Sequence, residues 1–221
     1  MTKKLLTIDE IVKRYRKLYS GVISDCLDKV GLWSQNMENV IRPLSHEMIV
    51  AGPAFTVSGS AERSTDKRIR LGPKVVDELN THQVVVMQTN GDLHTGHWGE
   101  LLTNGAIAKG ATGAVIDGGI RDSNFILKLK FPVFYKFHCP GDARGRWNVT
   151  HMQEPVSVGN ILIKPGDFIF GDIDGVVVIP EEITEEILIS AEAAVKEEDE
   201  IRKQILKGKK LSELYLEYEQ F

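Results

Sequence analysis

Apolar residues recur every three or four positions at the start of the chain. Ile8, Ile11, Val12, Tyr15 and Leu18 fall on one helical face, and Thr7 with Glu10 makes a capping-box pattern ahead of it. A second helix is predicted from near Ser20 to Val30, with Val22, Ile23, Cys26, Leu27 and Val30 turned inward and Gly31 placed to end it. From Met48 the pattern shifts to β-branched runs. "MIVAGPAFTVSG" (48–59), "QVVVMQT" (83–89), "GAVIDG" (113–118), "FPVFYKFH" (131–138), "PVSVGNILI" (155–163) and "FIFGDIDGVVVIP" (168–180) each read as strand. The polar stretch from Ser60 to Lys74 reads as an exposed connection. One crossover helix is predicted, from about Leu101 to Lys109, with Gly110 as its stop. A long charged helix from Glu181 onward carries Ile183, Ile187, Ile189, Ala193 and Val195.

This order predicts a layered α/β fold that does not alternate regularly in the Rossmann manner. No internal repeat, low-complexity tract or Pro/Ser linker divides the chain, so residues 1–221 are expected to form a single domain. The net charge of −4 argues against nucleic acid as a partner, because phosphate binding favours basic patches. No apolar run approaches a membrane span, and "MTKKLLTIDEIVKRY" turns polar too soon for a signal-peptide core. Cys26 and Cys139 have no metal-type spacing and are expected to be reduced thiols in a cytoplasmic protein.

The chemistry concentrates in "WGELLTNGAIAKGATGAVIDGGIRD", residues 98–122. Glu100 opens a helix, and Arg121 with Asp122 stands where a buried strand ends. Ligands of open α/β sheets gather at the carboxyl ends of strands. The unpaired N–H groups of a helix's first turn attract an anion there. Arg121 brings a planar, permanently charged fork suited to a carboxylate or an enolate oxygen. Asp122 is suited to Mg²⁺ or Mn²⁺, which often take one or two protein carboxylates and keep their waters. Glu100 is suited to orienting such a water or relaying a proton. The bland alternatives are a solvated Arg-Asp turn and a glutamate that complements a helix dipole.

These residues carry a family resemblance. "GELL", the twenty residues between Glu100 and Arg121-Asp122, and "KGATGAVIDGGIRD" resemble the RraA-like family. Its members include 4-hydroxy-4-methyl-2-oxoglutarate aldolases and oxaloacetate decarboxylases. "VISDCLDKVG" (22–31), "IRPLSHEMIVAGPAFTV" (41–57), "FPVFYK" (131–136) and residues 155–180 extend the likeness, while residues 58–80 and the far ends carry little of it. The resemblance implies a layered swivelling β/β/α sandwich with N-terminal helices and a long C-terminal helix. It implies a homotrimer or hexamer with sites at subunit boundaries. It also implies a class II, metal-dependent lyase that cleaves a 2-oxo acid to pyruvate through its enolate, by retro-aldol cleavage or decarboxylation. Position by position, Asp122 matches the metal-coordinating aspartate and Arg121 the arginine at the pyruvyl group. Gly99, Glu100, Leu101 and Leu102 match the loop and helix start that bind the substrate carboxylate. Glu100 holds an acidic position filled by aspartate or glutamate. Asn124 and Phe125 stand where many members carry acids.

A regulator that binds and inhibits a ribonuclease is the alternative the family offers. A methyltransferase label used within the family finds no Gly-rich cofactor loop in this sequence. His94 and His97 are three apart, but no third nitrogen or sulfur ligand is near in sequence, so contact with substrate or solvent is the stronger expectation. His138 and Cys139 end a strand, and a buried structural thiol is the default reading there. Arg144 and Arg146 in "GDARGRW" are candidates for a second substrate carboxylate, a solvent face or a subunit contact. "DIDGVVVIP" lacks the spacing of a calcium loop and reads as a tight turn between strands. In the resembled family an acid on the C-terminal helix can approach a neighbouring subunit's site, and Glu197 is the candidate here.

Overall fold

The computed structural model describes residues 6–218, so the first five residues of the opening stretch lie outside it. The capping box is formed. The Thr7 hydroxyl accepts the Glu10 N–H at 3.3 Å, and the Glu10 carboxylate accepts the Thr7 N–H at 2.8 Å. It starts α1 (Ile8–Tyr15), which buries Ile11, Val12 and Tyr15 and leaves Ile8 exposed. The buried Tyr15 hydroxyl donates to the Thr184 carbonyl at 2.8 Å, tying α1 to the C-terminal helix α6 (Thr184–Leu206). Helix α2 (Ser20–Lys29) buries Val22, Ile23, Cys26 and Leu27 as expected, while Val30, just past its end, is exposed. Its start is satisfied from far away in sequence. Buried Asp172 accepts the Ser20 N–H at 2.8 Å, the Ser20 hydroxyl at 2.7 Å and the Asp174 N–H at 3.0 Å.

The sheet is organised by a long strand. Strand β2 (Val50–Ala61) follows the short β1 (Arg42–Pro43). It pairs antiparallel with β10 (Phe168–Asp172) over 50–53, parallel with β3 (Val84–Gln88) over 54–58, and antiparallel with β7 (Trp147–Met152) over 57–61, past a bulge at Ser58/Gly59. Strands β5 (Gly113–Ile120) and β6 (Val133–His138) continue the parallel set, and β11 (Gly175–Ile179) closes a hairpin with β10. The order is β1-β6-β5-β3-β2-β10-β11, with the three-residue β4 (Gly96–Trp98) beside β5 and β7 beside β2. The parallel strands β2, β3, β5 and β6 are laid down in one direction, without the strand-order reversal of a doubly wound sheet. The two ends of the order come together: Arg42 of β1 donates to the Asp174 carbonyl beside β11 at 2.8 Å.

This curled sheet separates three apolar cores. One lies between β2, β10 and β11 and the helices α1, α2 and α6, with the Phe168 ring packed at a tilt against Tyr15 at 4.4 Å between ring centroids. The second lies under the crossover helices α3 (Gly72–Asp77), α4 (Glu100–Ala108) and α5 (Ser123–Leu129). The third is enclosed by the sheet and plugged by the hairpin of β8 (Val156–Val158) and β9 (Ile161–Ile163). A last helix, α7 (Leu211–Glu217), buries Leu214.

The layered α/β architecture with N-terminal helices and a long C-terminal helix is the expected one, and several local expectations are revised. Among the described residues three crossover helices are present rather than one. The 60–74 connection contains the end of β2, a 3-10 turn at Lys67–Ile69 and the start of α3. "PVSVGNILI" is a hairpin, because Gly159 and Asn160 take φ of +57° and +64° and reverse the chain in two residues. In α6, Ile187 is buried as expected, but Ile189 and Ala193 face outward, and Leu188, Ala191 and Ala194 supply the contact instead.

Asp172→Ala removes three hydrogen bonds to a buried carboxylate and uncaps α2. It is expected to lower unfolding stability by about 3 kcal/mol in urea melts. A loss below about 1 kcal/mol would show that α2 does not depend on this carboxylate.

Candidate active site

The chain reaches the site through close backbone approaches. Strand β4 lies parallel to β5, with Gly96 opposite Gly119 and Trp98 opposite Ile120. A Cβ on Gly119 would stand 2.4 Å from the Thr95 carbonyl oxygen, and one on Gly96 would stand 2.5 Å from that of Cys139. Gly118 is equally constrained, with Thr89 Cγ2 at 2.7 Å and His97 Nδ1 at 2.9 Å. The glycines of "DGGIRD" are therefore what allows β4 and β6 to flank β5 at its carboxyl end.

Two helices start from these adjacent strand ends. Gly99 is the N-cap of α4, and Asp122 is the N-cap of α5. Neither residue caps its own helix with a side chain. Asp122 takes φ +57°, ψ +28°, a left-handed conformation that non-glycine residues rarely adopt and aspartate tolerates better than most. The turn sends its carboxylate across to the other helix, where Oδ2 lies 3.4 Å from the Glu100 N–H. Gly99 leaves the room for it, because a Cβ there would sit 2.7 Å from the same oxygen. The first-turn N–H groups of Leu101 and Leu102 are also left open by helix geometry.

Arg121 is pinned by its backbone N–H, which donates to the Trp98 carbonyl at 2.9 Å. Its guanidinium lies between two carboxylates, with Nε 3.7 Å from Asp122 Oδ2 and Nη2 3.5 Å from Asp142 Oδ1. Both contacts are loose and half-exposed, so the fork keeps donors for a ligand. Arg121, Asp122, Gly99, Leu101 and Leu102 line one cavity of about 230 Å³, whose wall includes Met87, Pro73, Trp147 and Val149.

The structure brings together Arg121, Asp122 and the start of α4, and it places Glu100 differently. Its backbone N–H faces Asp122, but its Oε1 accepts the Asn104 side-chain N–H at 2.8 Å along its own helix. Leu101 is 79% exposed at the mouth, whereas Leu102 packs into the core below α4. Asn124 and Phe125 sit on α5 and line a second depression with His138 and Cys139, which shares Arg121 and Asp122 with this cavity. His94 is exposed and His97 buried, so the two do not converge as ligands. The His97 ring stands edge-on to Trp147 at 4.8 Å, with Nε2 3.1 Å from Asp92 Oδ2. Burial pushes its pKa down, and the Asp92 carboxylate partly offsets this. Arg144 donates to the Thr65 carbonyl at 3.3 Å and Arg146 to the Asp142 carbonyl at 2.8 Å, and the cavity wall includes neither. Glu197 lies on α6, in the layer of α1 and α2.

Sequence reasoning missed Asp142, Asn148 and Arg70. Asp142 stands in the same stretch as the two arginines that were singled out, and Arg70 lies inside the polar connection. No signal short of the paired strands places them at this cavity.

Among the described residues, no helix is long and apolar enough to cross a membrane, and no group of three or more His, Cys, Asp or Glu side chains forms a metal cage. A single-carboxylate site is a different kind of site. Asp122 fits it: a hard oxygen donor, 43% exposed at the side chain, accepting only one long amide contact.

Comparison with known proteins identifies the family. The model of the family described as "RraA-like: Aldolase/RraA" matches residues 21–178. A "Putative 4-hydroxy-4-methyl-2-oxoglutarate aldolase" of Halalkalibacterium halodurans is 33% identical over 200 residues, covering 89% of each chain. Protein DlpA of Legionella pneumophila is 30% identical over 214 residues, 96% of this chain, and this chain spans only 34% of that protein's length. The crystal structure of Streptomyces coelicolor RraAS2, described as an unusual member of the RNase ES inhibitor RraA protein family, superposes with a TM-score of 0.80 at 28% identity, over 88% of this chain and 98% of that one. The chain belongs to the RraA-like family.

Proposed function

We propose that the protein is a divalent-metal-dependent carbon–carbon lyase that releases pyruvate from a 2-oxo acid, by retro-aldol cleavage of a 4-hydroxy-4-methyl-2-oxoglutarate-type substrate, by decarboxylation of oxaloacetate, or by both. The observation that carries this reading is the Asp122 carboxylate. A strained left-handed turn holds it at the open N-terminus of α4, beside a guanidinium that no protein group saturates.

Each residue has a role in that chemistry. The free N–H groups at the start of α4 receive the substrate's C1 carboxylate, aided by the helix dipole. Asp122 holds the ion, Mg²⁺ or Mn²⁺, which when bound supplies Lewis-acid polarisation of the 2-oxo group. Arg121 donates from its fork to the oxygen on which negative charge develops as the C3–C4 bond breaks. Glu100 Oε2, the carboxylate oxygen that Asn104 leaves open, relays the proton: from the C4 hydroxyl in retro-aldol cleavage, to C3 after decarboxylation. The ribonuclease-inhibitor description of the Streptomyces neighbour offers a binding role, and such a role gives no reason for the strained Asp122 or the cavity behind it. By analogy with the family, copies are proposed to assemble as trimers or multiples of trimers, with Glu197 close to a neighbour's site.

Oxaloacetate is expected to yield pyruvate with Mg²⁺ or Mn²⁺ present, and EDTA to abolish the reaction. Turnover that survives chelation and dialysis contradicts the metal requirement. Asp122→Ala should reduce both metal binding and turnover to background. Arg121→Lys, which keeps the charge but not the fork, should cost roughly a hundredfold in turnover. Glu100→Gln should bind pyruvate normally while turning over slowly. Wild-type rates in all three variants would return the cluster to an ordinary surface ion pair.

Gly99→Ala tests the placement of Asp122 without touching its chemistry. The backbone there is extended, at φ −158°, and tolerates any residue, so the fold should persist. The new methyl group displaces the carboxylate, and Mn²⁺ affinity is expected to fall roughly tenfold or more. Unchanged Mn²⁺ binding would place the ion elsewhere. Light scattering should give a mass three or six times 24.7 kDa, and a monomer at micromolar concentration contradicts the assembly.

A further inference from the structure

The cavity behind Arg121 and Asp122 has a second cationic wall. Arg70 lines it together with Gly72 and Pro73, from the connection between β2 and α3. Arg70 is half-buried, and among the described residues its guanidinium has neither a hydrogen bond nor an ion pair. Two acids upstream in sequence are engaged elsewhere. Asp66 holds the Arg68 side chain at 2.6 Å, and the Glu62 carboxylate accepts the Ser64 N–H at 2.7 Å. Asp142, the remaining carboxylate of the cavity wall besides Asp122, faces Arg121.

The segment carrying Arg70 is held in place from below. Asn148 on β7 is buried, at 8% exposure. Its Oδ1 accepts the Leu71 N–H at 3.2 Å, and its Nδ2 donates to the Ile69 carbonyl at 2.7 Å. These two bonds grip the backbone on either side of Arg70 and fix its position over the cavity. The same cavity wall includes the apolar side chains of Met87, Leu102, Pro73 and Val149 beside His97 and Asn148. Among the described residues the Arg70 fork has no protein counter-charge, and a guanidinium fork matches a carboxylate in two-pronged geometry.

We propose that Arg70 is a specificity-determining residue. It receives a second carboxylate, at the end of the substrate remote from Arg121 and Asp122, and Asn148 is its positioning residue. Both substrates named above are 2-oxo diacids, and Arg70 is the residue that favours them over 2-oxo monoacids. The inference rests on the lyase reading above, which assigns the pyruvyl end to Arg121 and Asp122.

Equilibrium titration of the full chain in Mg²⁺ buffer tests it with two probes, pyruvate and 2-oxoglutarate. The diacid lacks a C4 hydroxyl and is not cleaved. The parent should bind 2-oxoglutarate more tightly. Arg70→Gln should weaken 2-oxoglutarate roughly thirtyfold and pyruvate by less than about threefold, and Arg70→Lys should recover part of the difference. Asn148→Ala should produce the same selective loss, and combining it with Arg70→Gln should add nothing further, because both act through one guanidinium. If Asn148→Ala does not fold, the two Arg70 variants decide the matter alone. No diacid preference in the parent, or a preference that survives Arg70→Gln, overturns the assignment while leaving the lyase reading intact. If neither probe binds the parent, the pyruvyl reading itself falls.

Discussion

The pairing of a three-residue strand with the end of β5 is the constraint on which the site depends. Strand β4 gives the core one large side chain, the fully buried Trp98, and its further value is positional. By lying parallel to β5, with Gly96 opposite Gly119, it places two helix starts side by side. A helix that begins at a strand end presents open N–H groups. Two such starts in contact let a residue capping one helix address the other, as Asp122 does when its carboxylate reaches α4. The glycines at 96, 99, 118 and 119 are the steric conditions for this, because a Cβ at any of them would meet a neighbouring heavy atom within 2.7 Å.

The rest of the fold holds that junction rigid. The three crossover helices pack over one face of the parallel strands, and the curled sheet encloses a separate core behind them. Strand β2 links the layers, because its twelve residues pair in turn with β10, β3 and β7. Through β7 it supports Trp147, Asn148 and Val149, which form the cavity floor. The bulge at Ser58/Gly59 turns β7 into that position, and Gly59 permits it: a Cβ there would stand 2.2 Å from the Trp147 ring. A site built from strand ends and a buried asparagine clamp is more precise than one borne on free loops.

Much of this was legible in the chain. The capping box of α1, the inward face of α2 and the buried runs of β2, β3, β5 and β6 follow from spacing and β-branched content, because each is long enough to show its period. Arg121, Asp122 and the start of α4 were visible as candidates, since charged residues at the end of a buried run are conspicuous. Other features were hidden for physical reasons. Strand β4, within "HTGHWG", is too short for alternation to register, and its burial comes from neighbours far away in sequence. Helices α3 and α5 are one or two turns long and depend on packing more than on their own pattern. Arg70 looks like one more charge in a polar connection, and only the buried Asn148 on β7 shows that this connection roofs a cavity. The Glu100 side chain, which the sequence directs towards the site, accepts a hydrogen bond from Asn104 one turn along its own helix, a local competitor at i+4 spacing.

Asp122 and the start of α4 are proposed to form one receptor for a metal ion and a pyruvyl group. A crystal structure with Mn²⁺ and pyruvate, read by the anomalous signal of manganese, tests it most directly. A manganese peak is expected at the Asp122 carboxylate, with the pyruvate carboxylate on the N–H groups of Leu101 and Leu102 and the Arg121 fork on the 2-oxo oxygen. Manganese bound away from Asp122, or pyruvate bound outside this cavity, would contradict it.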